Sequence, residues 1–340
     1  MSRPQPFAGD TALPSLSVGY APAGTLARQL ADPQVLAVFG FGDAAPQLDD
    51  PRWLRVRLEP LLDAPAPIEV WRSASPVRCG RDGDIAWSTD GQLLFGALEI
   101  DEGDAGIEAA AAQAYARMGA FVAGSGTPHL LRVWNYMDAI TLGEGDEERY
   151  RRFCVGRVAG MDALDTARLP AATAIGRRDG LRRLQVYWLA AREPGQPLEN
   201  PRQVSAYRYP RQYGPQSPSF ARALLPPAGA AMPLLLSGTA AIVGHASQHS
   251  GAVQAQVEET LANLDSLVAA ARQQGAPLPA TLGAGSPIKV YVRDPGDAAL
   301  VAAQLDLRLD PAVPRVLLHA QVCRRELLVE IDGVHGPATD

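Results

Sequence analysis

Apolar positions recur along this chain with two periods, and the two kinds of run come in the same order twice. A period of two marks Ile85 to Ile100, which alternates on both sides of Asp90-Gly91, a dipeptide suited to a two-residue hairpin turn. A helical period follows. Ile107, Ala111, Ala114, Met118 and Phe121 share one face of an Ala-rich run that ends at Gly124 to Pro128. Leu130 to Tyr136 then reads as a strand, Asp146 to Phe153 as a short charged helix and Leu184 to Leu189 as another strand. Further on, Met232 to His245 reads as a hairpin or strand, and Val253, Val257, Leu261, Leu264 and Val268 make an amphipathic helix ending at Gly275. Ile288 to Arg293 is a strand, Asp297 to Leu305 a short helix, and Pro314 to Asp332 holds two more strands. The order recurs after roughly 145 residues, so the expected fold class is α/β (α+β): two tandem units, each a mixed sheet backed by helices. The boundary is placed between Glu193 and Pro201, giving units 1–195 and 196–340. Ahead of the first hairpin, Gln34 to Phe39 and Ile68 to Trp71 read as short strands among Pro and Asp turns.

The last two strands concentrate polar side chains. From Pro314 to Cys323, alternation places Arg315, Leu317, His319, Gln321 and Cys323 on one face, with Val316, Leu318, Ala320 and Val322 on the other. In the next run Leu327, Val329 and Ile331 face the core, so Glu330 projects from the opposite side, and Asp332 is expected to be exposed. A hairpin between the two runs would set Glu330 beside the polar face of Arg315 and Cys323. Aligning the repeats matches Leu184 to Tyr187 with Leu327 to Glu330, which puts Tyr187 in the place of Glu330 and Ala172 in that of Arg315. The expectation is one site per chain: a degenerate first unit and a second unit that carries the glutamate.

Composition narrows the partner. At 340 residues, 47% hydrophobic and 20% charged, the chain can bury a substantial core. A net charge of -6 with no run of Lys or Arg argues against nucleic acid or an anionic membrane and for a small molecule. Cys79, Cys154 and Cys323 are too scattered for a disulfide framework or a metal knuckle, and no stretch reaches the roughly 18 apolar residues of a membrane span. A cytoplasmic location follows as the expectation. His245 and His249 lie four apart, but no third ligand is near and Gly244 and Gly251 flank them, so no metal and no other cofactor is expected.

Several segments carry a resemblance: Arg132 to Tyr136, Glu148 to Arg157, Asn200 to Pro215, Ser217 to Arg222 and Ser237 to His245. With the C-terminal strands, they resemble the chorismatases. The C-terminal half resembles the RidA/YjgF fold, whose small-molecule pockets use an arginine on one late strand and a glutamate on the last. The resemblance implies two tandem RidA/YjgF-like (chorismate-mutase-like) units. It also implies cleavage of chorismate, without metal or organic cofactor, into pyruvate and a ring acid. Branches of the family yield a dihydroxycyclohexadiene carboxylate, 3-hydroxybenzoate, or 3- and 4-hydroxybenzoate together. A cysteine seven residues before the catalytic glutamate, as Cys323 stands before Glu330, resembles the branches with aromatic products. A second sorting position, Gly or Ala, falls near Ala240 and Ala241. The overall character resembles the dual-product enzyme of xanthomonad-type bacteria, which supplies pigment and ubiquinone precursors.

Elementary chemistry gives these residues work. Enol ether cleavage starts by protonating the terminal methylene carbon, so it needs a carboxylic acid that is still protonated near neutral pH; burial of Glu330 would supply one. An edge-strand charge or an ion pair with Arg324 is the plain alternative for Glu330. Two substrate carboxylates call for guanidinium forks, with Arg315 the first choice, then Arg157, Arg208 and Arg211. Tyr207, Tyr209 and Tyr213 are candidates to hydrogen-bond a carboxylate or wall the ring, and Thr239 and Ala241 to complete the binding site. Cys323 has no partner suited to activating a nucleophile and is read as shaping the pocket. Two rival readings stay open, a RidA-like enamine or imine hydrolase and a non-enzymatic binder of an aromatic acid. The oligomeric state stays open between a monomer and a small homo-oligomer, since RidA proteins are trimers and a duplication within the chain replaces part of that interface.

Overall fold

The computed structural model describes residues 3–4, 14–62, 65–161 and 165–337. The chain begins with β1 (Leu16–Ala21), α1 (Leu26–Ala31), β2 (Val35–Phe41), β3 (Trp53–Val56), β4 (Pro60–Leu61) and β5 (Ile68–Ser73). Of these, β1, β5, β2 and β3 form a four-stranded sheet in that order. Next come β6 (Arg78–Asp82), β7 (Ile85–Thr89), β8 (Leu93–Asp101), α2 (Gly106–Ala123), β9 (His129–Asp138), α3 (Arg149–Ala159), β10 (Ala171–Arg177) and β11 (Arg183–Ala191). They build a six-stranded sheet ordered β10-β9-β11-β8-β7-β6. The succession then returns as β12 (Gln196–Leu198), β13 (Ala223–Leu225), β14 (Leu234–Ala240), α4, β17, α5, β18 and β19, with a small hairpin, β15 (Ile242–Val243) and β16 (Ala246–Ser247), inserted after β14. Here α4 is Val253–Gln273, β17 is Ile288–Val292, α5 is Ala298–Arg308, β18 is Arg315–His319 and β19 is Val329–His335. Its sheet runs β12-β13-β14-β19-β17-β18, with β4 added at the far edge. Read from opposite ends the two sheets have one topology, so the expected pair of mixed sheets backed by helices is what the chain forms.

Alternation decides what each face meets. On β19, Val329 and Ile331 pack with Val257, Leu261 and Leu264 of α4, while the other face turns inward. The inward faces of all three sheets share one core that includes Phe39 and Trp71, Phe95, Trp134 and Tyr187, and Tyr291, Val316 and Leu318. Burying one such aliphatic or aromatic side chain contributes roughly 1.5–3 kcal/mol, so the shared core ties the sheets together. α3 begins at Arg149 rather than at Asp146, because Gly145–Glu147 forms a separate single turn ahead of it. Among the described residues no helix is long and apolar enough to cross a membrane.

The expected hairpin between the last two strands does not form. β17 lies between β18 and β19, parallel to β18 and antiparallel to β19. The reason is α5, whose crossover from β17 delivers β18 parallel to it and leaves the other edge of β17 for β19. After His319 the chain leaves the sheet, and Gln321 exchanges two backbone hydrogen bonds of 2.8 Å with Gly176. Ala221 N–H donates to the Pro170 carbonyl at 3.0 Å and Ala172 N–H to Ser237 Oγ at 2.9 Å. The outer edge of β10 is thereby capped by the second sheet's neighbourhood rather than left open, and a cavity forms along that junction.

Candidate active site

The cavity holds about 440 Å³. One wall is Ala172, Thr173 and Ala174 of β10 with Tyr150 and Arg157 of α3; the other is Gly238 and Ala240 of β14 with Glu330 of β19. Tyr209, Tyr213, Phe220 and Arg222 close one side, and Cys323 to Glu326 close another. Both halves of the repeat contribute, so the site is at their junction rather than within the second unit.

Glu330 is 5% exposed on the inward face of β19. Burial is the first cause that raises its carboxyl from 4.5 to about 8, with the charge of Asp332 the second; Arg132 and Arg222 pull the other way. The carboxyl owes its place to Gly238: a Cβ there would stand 2.0 Å from Glu330 Oε1 and 3.3 Å from Thr173 Oγ1. Asp332, expected to be exposed, is fully buried because this face of β19 is covered by β9 and β10 of the six-stranded sheet. Its Oδ2 accepts from Trp134 Nε1 at 3.0 Å, Tyr291 OH at 2.9 Å, Thr173 Oγ1 at 2.7 Å and Arg132 at 3.3 Å.

Two arginines that line the cavity are as buried as the glutamate. Arg157 is 3% exposed, with its guanidinium carbon 5.0 Å from the Tyr115 ring centre, and its Nε and Nη2 have no hydrogen-bond partner among the described residues. Arg222, also 3% exposed, donates to Tyr209 OH at 2.7 Å and to the Val204 carbonyl at 2.9 Å, while its Nε is unpartnered among the described residues. α3 can bring Arg157 this deep because Gly156 lies against α2, where a Cβ would be 2.0 Å from the Glu108 carbonyl oxygen. Desolvated N–H groups on a permanent cation, beside a cavity, are well suited to a carboxylate.

Of the predicted residues, Glu330, Cys323, Arg157 and Tyr213 meet in this cavity, as does Tyr209. Cys323 is half-buried, and burial followed by the charge of Glu330 pushes its thiol above the usual value, so it stays neutral. Tyr213 OH meets His245 Nδ1 at 3.1 Å and lies under Arg324, whose guanidinium carbon is 4.0 Å from the ring centre. Arg315 is elsewhere. It lies on the helix-facing side of β18 and pairs with Asp306 of α5, one strand removed from β19 and on its opposite face. Arg208 is exposed and stacks over Tyr207, which does not reach the cavity either, and Arg211 sits at the surface in a two-pronged pair with Asp146 at 2.9 and 2.5 Å. Thr239 and Ala241 are buried without lining the cavity, because alternation on β14 turns Gly238 and Ala240 toward it instead. His249 pairs with Glu259 at 3.1 Å, and no group of three or more His, Cys, Asp or Glu among the described residues is arranged to hold a metal.

Sequence reasoning missed Arg222, Thr173, Gly238 and the buried role of Asp332. Arg222 lay inside a quoted segment, but Ser217 to Arg222 has no periodicity, so nothing ranked it above Arg208 or Arg211.

Comparison with known proteins agrees with the fold. Residues 69–190 match the family described as chorismatase FkbO/Hyg5-like, N-terminal. A chorismatase of Streptomyces rapamycinicus is 37% identical over 274 residues, 78% of this chain and 81% of that protein. A 3-hydroxybenzoate synthase of Streptomyces hygroscopicus is 35% identical over 276 residues, 78% of this chain and 80% of its own. The crystal structure of a chorismatase at 1.08 Å resolution covers 96% of this chain and 100% of its own with a TM-score of 0.84 and 32% identity. The YjgF gene product of E. coli matches 42% of this chain and 98% of its own, with 18% identity and a TM-score of 0.30. Identity of 37% sustained over 78% of the sequence, with a fold shared along 96% of it, means that this chain belongs to the chorismatase family.

Proposed function

We propose that this protein cleaves the enolpyruvyl ether of chorismate to pyruvate and 3-hydroxybenzoate, with some 4-hydroxybenzoate, and that Glu330 is the general acid. The carrying observation is a buried carboxyl raised to about 8 in a cavity that also holds two buried arginines with unpartnered N–H groups among the described residues. The division into units 1–195 and 196–340, with the glutamate in the second, belongs to the same reading.

Glu330 gives its proton to the terminal methylene carbon of the enol ether, which leaves positive charge on the ether carbon and oxygen. Arg157 and Arg222 take the two carboxylates of the substrate, and the aromatic walls Tyr209, Tyr213 and Phe220 hold the ring. In the aromatic branch the ring 4-hydroxyl oxygen attacks the neighbouring carbon as the protonated ether departs as pyruvate. Its proton returns to the Glu330 carboxylate. The arene oxide so formed opens with a hydrogen shift to 3-hydroxybenzoate. Pyruvate and hydroxybenzoate together contain the atoms of chorismate, so no co-reactant is consumed. The small neutral thiol of Cys323 leaves room for this attack.

The test is incubation with chorismate, chromatographic identification of the ring acids and a pyruvate assay. Wild type should release pyruvate with 3-hydroxybenzoate, and E330Q should release none while keeping its fold. An active E330Q protein would sink the assignment of the acid, and ligand binding without pyruvate would favour the non-enzymatic reading.

A further inference from the structure

Behind Glu330 lies a set of buried charges that the cleavage step does not use. Lys289 of β17 is 2.9 Å from Glu69 of β5 and 3.5 Å from Asp332, and Arg132 of β9 is 3.3 Å from Asp332. All four side chains are nearly or wholly buried, and their charges sum to zero. The surroundings of Asp332 are built for a carboxylate: four donors converge on Oδ2 and the Lys289 ammonium approaches Oδ1. Glu330 stands two residues away on the same strand face, so its own ionisation would add a second negative charge next to a fixed one.

We propose that Asp332 is a positioning residue for the proton of Glu330: an anion built into the core that holds the neighbouring carboxyl in its neutral, proton-donating form. This deepens the reading above and rests on it, since a general acid is of use only while protonated. Thr173 links the two groups. Its hydroxyl donates to Asp332, accepts from Arg132 at 2.5 Å, and lies against the space that Gly238 leaves for the Glu330 carboxyl.

The opposing charges are countable. Arg132 on β9 and Arg222 ahead of β13 act on Glu330 from the six-stranded sheet and from the cavity side, and both favour its anion. From α3, Tyr150, Arg151 and Arg157 line the same cavity, with Glu144 and Glu148 just ahead of that helix and Cys323, Arg324, Arg325 and Glu326 on the other side. Tyr291 and Lys289 stand behind Asp332 on β17, while β10 and β14 present no charged group to the cavity, only Ala172, Thr173, Ala174, Gly238 and Ala240. Burial and Asp332 together outweigh the two arginines.

D332N tests the proposal. Two charges about 6–7 Å apart at an effective dielectric of about 20 interact strongly enough to move the Glu330 titration down by about one to two pH units when one is removed. Two readouts follow it. One is the alkaline limb of kcat/KM for pyruvate release. The other is the infrared band of the protonated carboxyl, assigned to Glu330 by its loss in E330Q. A folded D332N protein with both midpoints lowered supports the proposal. A folded D332N protein with unchanged midpoints, whether fully active or uniformly weakened, overturns it. Should D332N fail to fold, K289Q/D332N keeps the remaining buried charges, Glu69 and Arg132, in balance. Its midpoint should fall in the same direction by less, and an unmoved midpoint overturns the proposal there too. If wild type releases no pyruvate from chorismate, the functional reading fails, yet the infrared titration still reports whether Asp332 holds the proton on Glu330.

Discussion

Replacing Glu330 with glutamine should stabilise the protein, and increasingly so as pH rises. Unfolded, the carboxyl titrates near 4.5; folded, burial first and then Asp332 raise it to about 8. Below 4.5 both states carry the proton and the native chain bears no penalty. Between 4.5 and about 8 the unfolded state ionises while the folded state resists, so wild-type stability falls with pH across this window and levels off above it. The distance between the two values corresponds to about 4–5 kcal/mol at the alkaline plateau. For a chain of 340 residues that is a difference of about 6 °C in Tm. The amide introduced in E330Q has nearly the shape of the protonated acid and no charge to bury, so the variant escapes the loss. The assay is thermal unfolding of wild type and E330Q at pH 5, 7 and 9, where titrating groups distant from Glu330 cancel in the difference. A gap in Tm that opens steadily toward pH 9 is expected. A gap that is constant, or one that widens toward acid, would refute a carboxyl held neutral in the core.

Placement can be probed one side chain at a time. G238A sets a methyl where Glu330 Oε1 now lies, 2.0 Å from a Cβ, and should lower kcat by about a hundredfold or more while far-ultraviolet circular dichroism is unchanged. R157K and R222K each keep the charge and lose the fork, so each should weaken chorismate binding about tenfold by calorimetry. R315A, which breaks only the surface pair with Asp306, should stay within about twofold of wild type in kcat/KM, and a larger loss would return Arg315 to the site. C323V, whose branched side chain takes up the room that the thiol leaves, should shift the ring products toward the dihydroxycyclohexadiene carboxylate, read by chromatography, and an unchanged product ratio would remove Cys323 from product control.

What was legible in the sequence were features with a period. Val253 to Val268 announces α4 at helical spacing, Asp90-Gly91 announces the turn between β7 and β8, and the recurrence of elements announces two sheets of one topology. The alternation of Val329 and Ile331 also gave the face of β19 on which Glu330 stands, whereas Leu327, ahead of the strand, packs with Ala240, Ala241 and Ile242 instead of with them. What could not be read was which strands become neighbours. Pro314 to Asp332 looks like a hairpin, because adjacency in sequence is the usual guide to adjacency in a sheet, but the crossover through α5 puts β17 in between.

That one insertion accounts for the misplaced arginine. Arg315 seemed to share a face with Glu330 only if the two strands paired directly; with β17 between them, its alternation face is the one that α5 covers. The two buried guanidinium groups that line the cavity come from outside the C-terminal strands. Arg157 arrives on a helix of the first unit, held close by Gly156 against α2, and Arg222 on an irregular segment just before β13. Asp332 shows the same limit from the other side. A carboxylate two residues from Glu330 near the end of the chain reads as a surface charge, since the residues that bury it, Arg132, Trp134 and Thr173, lie at least 159 positions away. The proposed acid could be found from one strand, but its charge environment belongs to the junction of two sheets. On the proposed reading burial comes first and Asp332 second in holding its proton, and the charges that oppose them, Arg132 and Arg222, lie far from Glu330 in sequence.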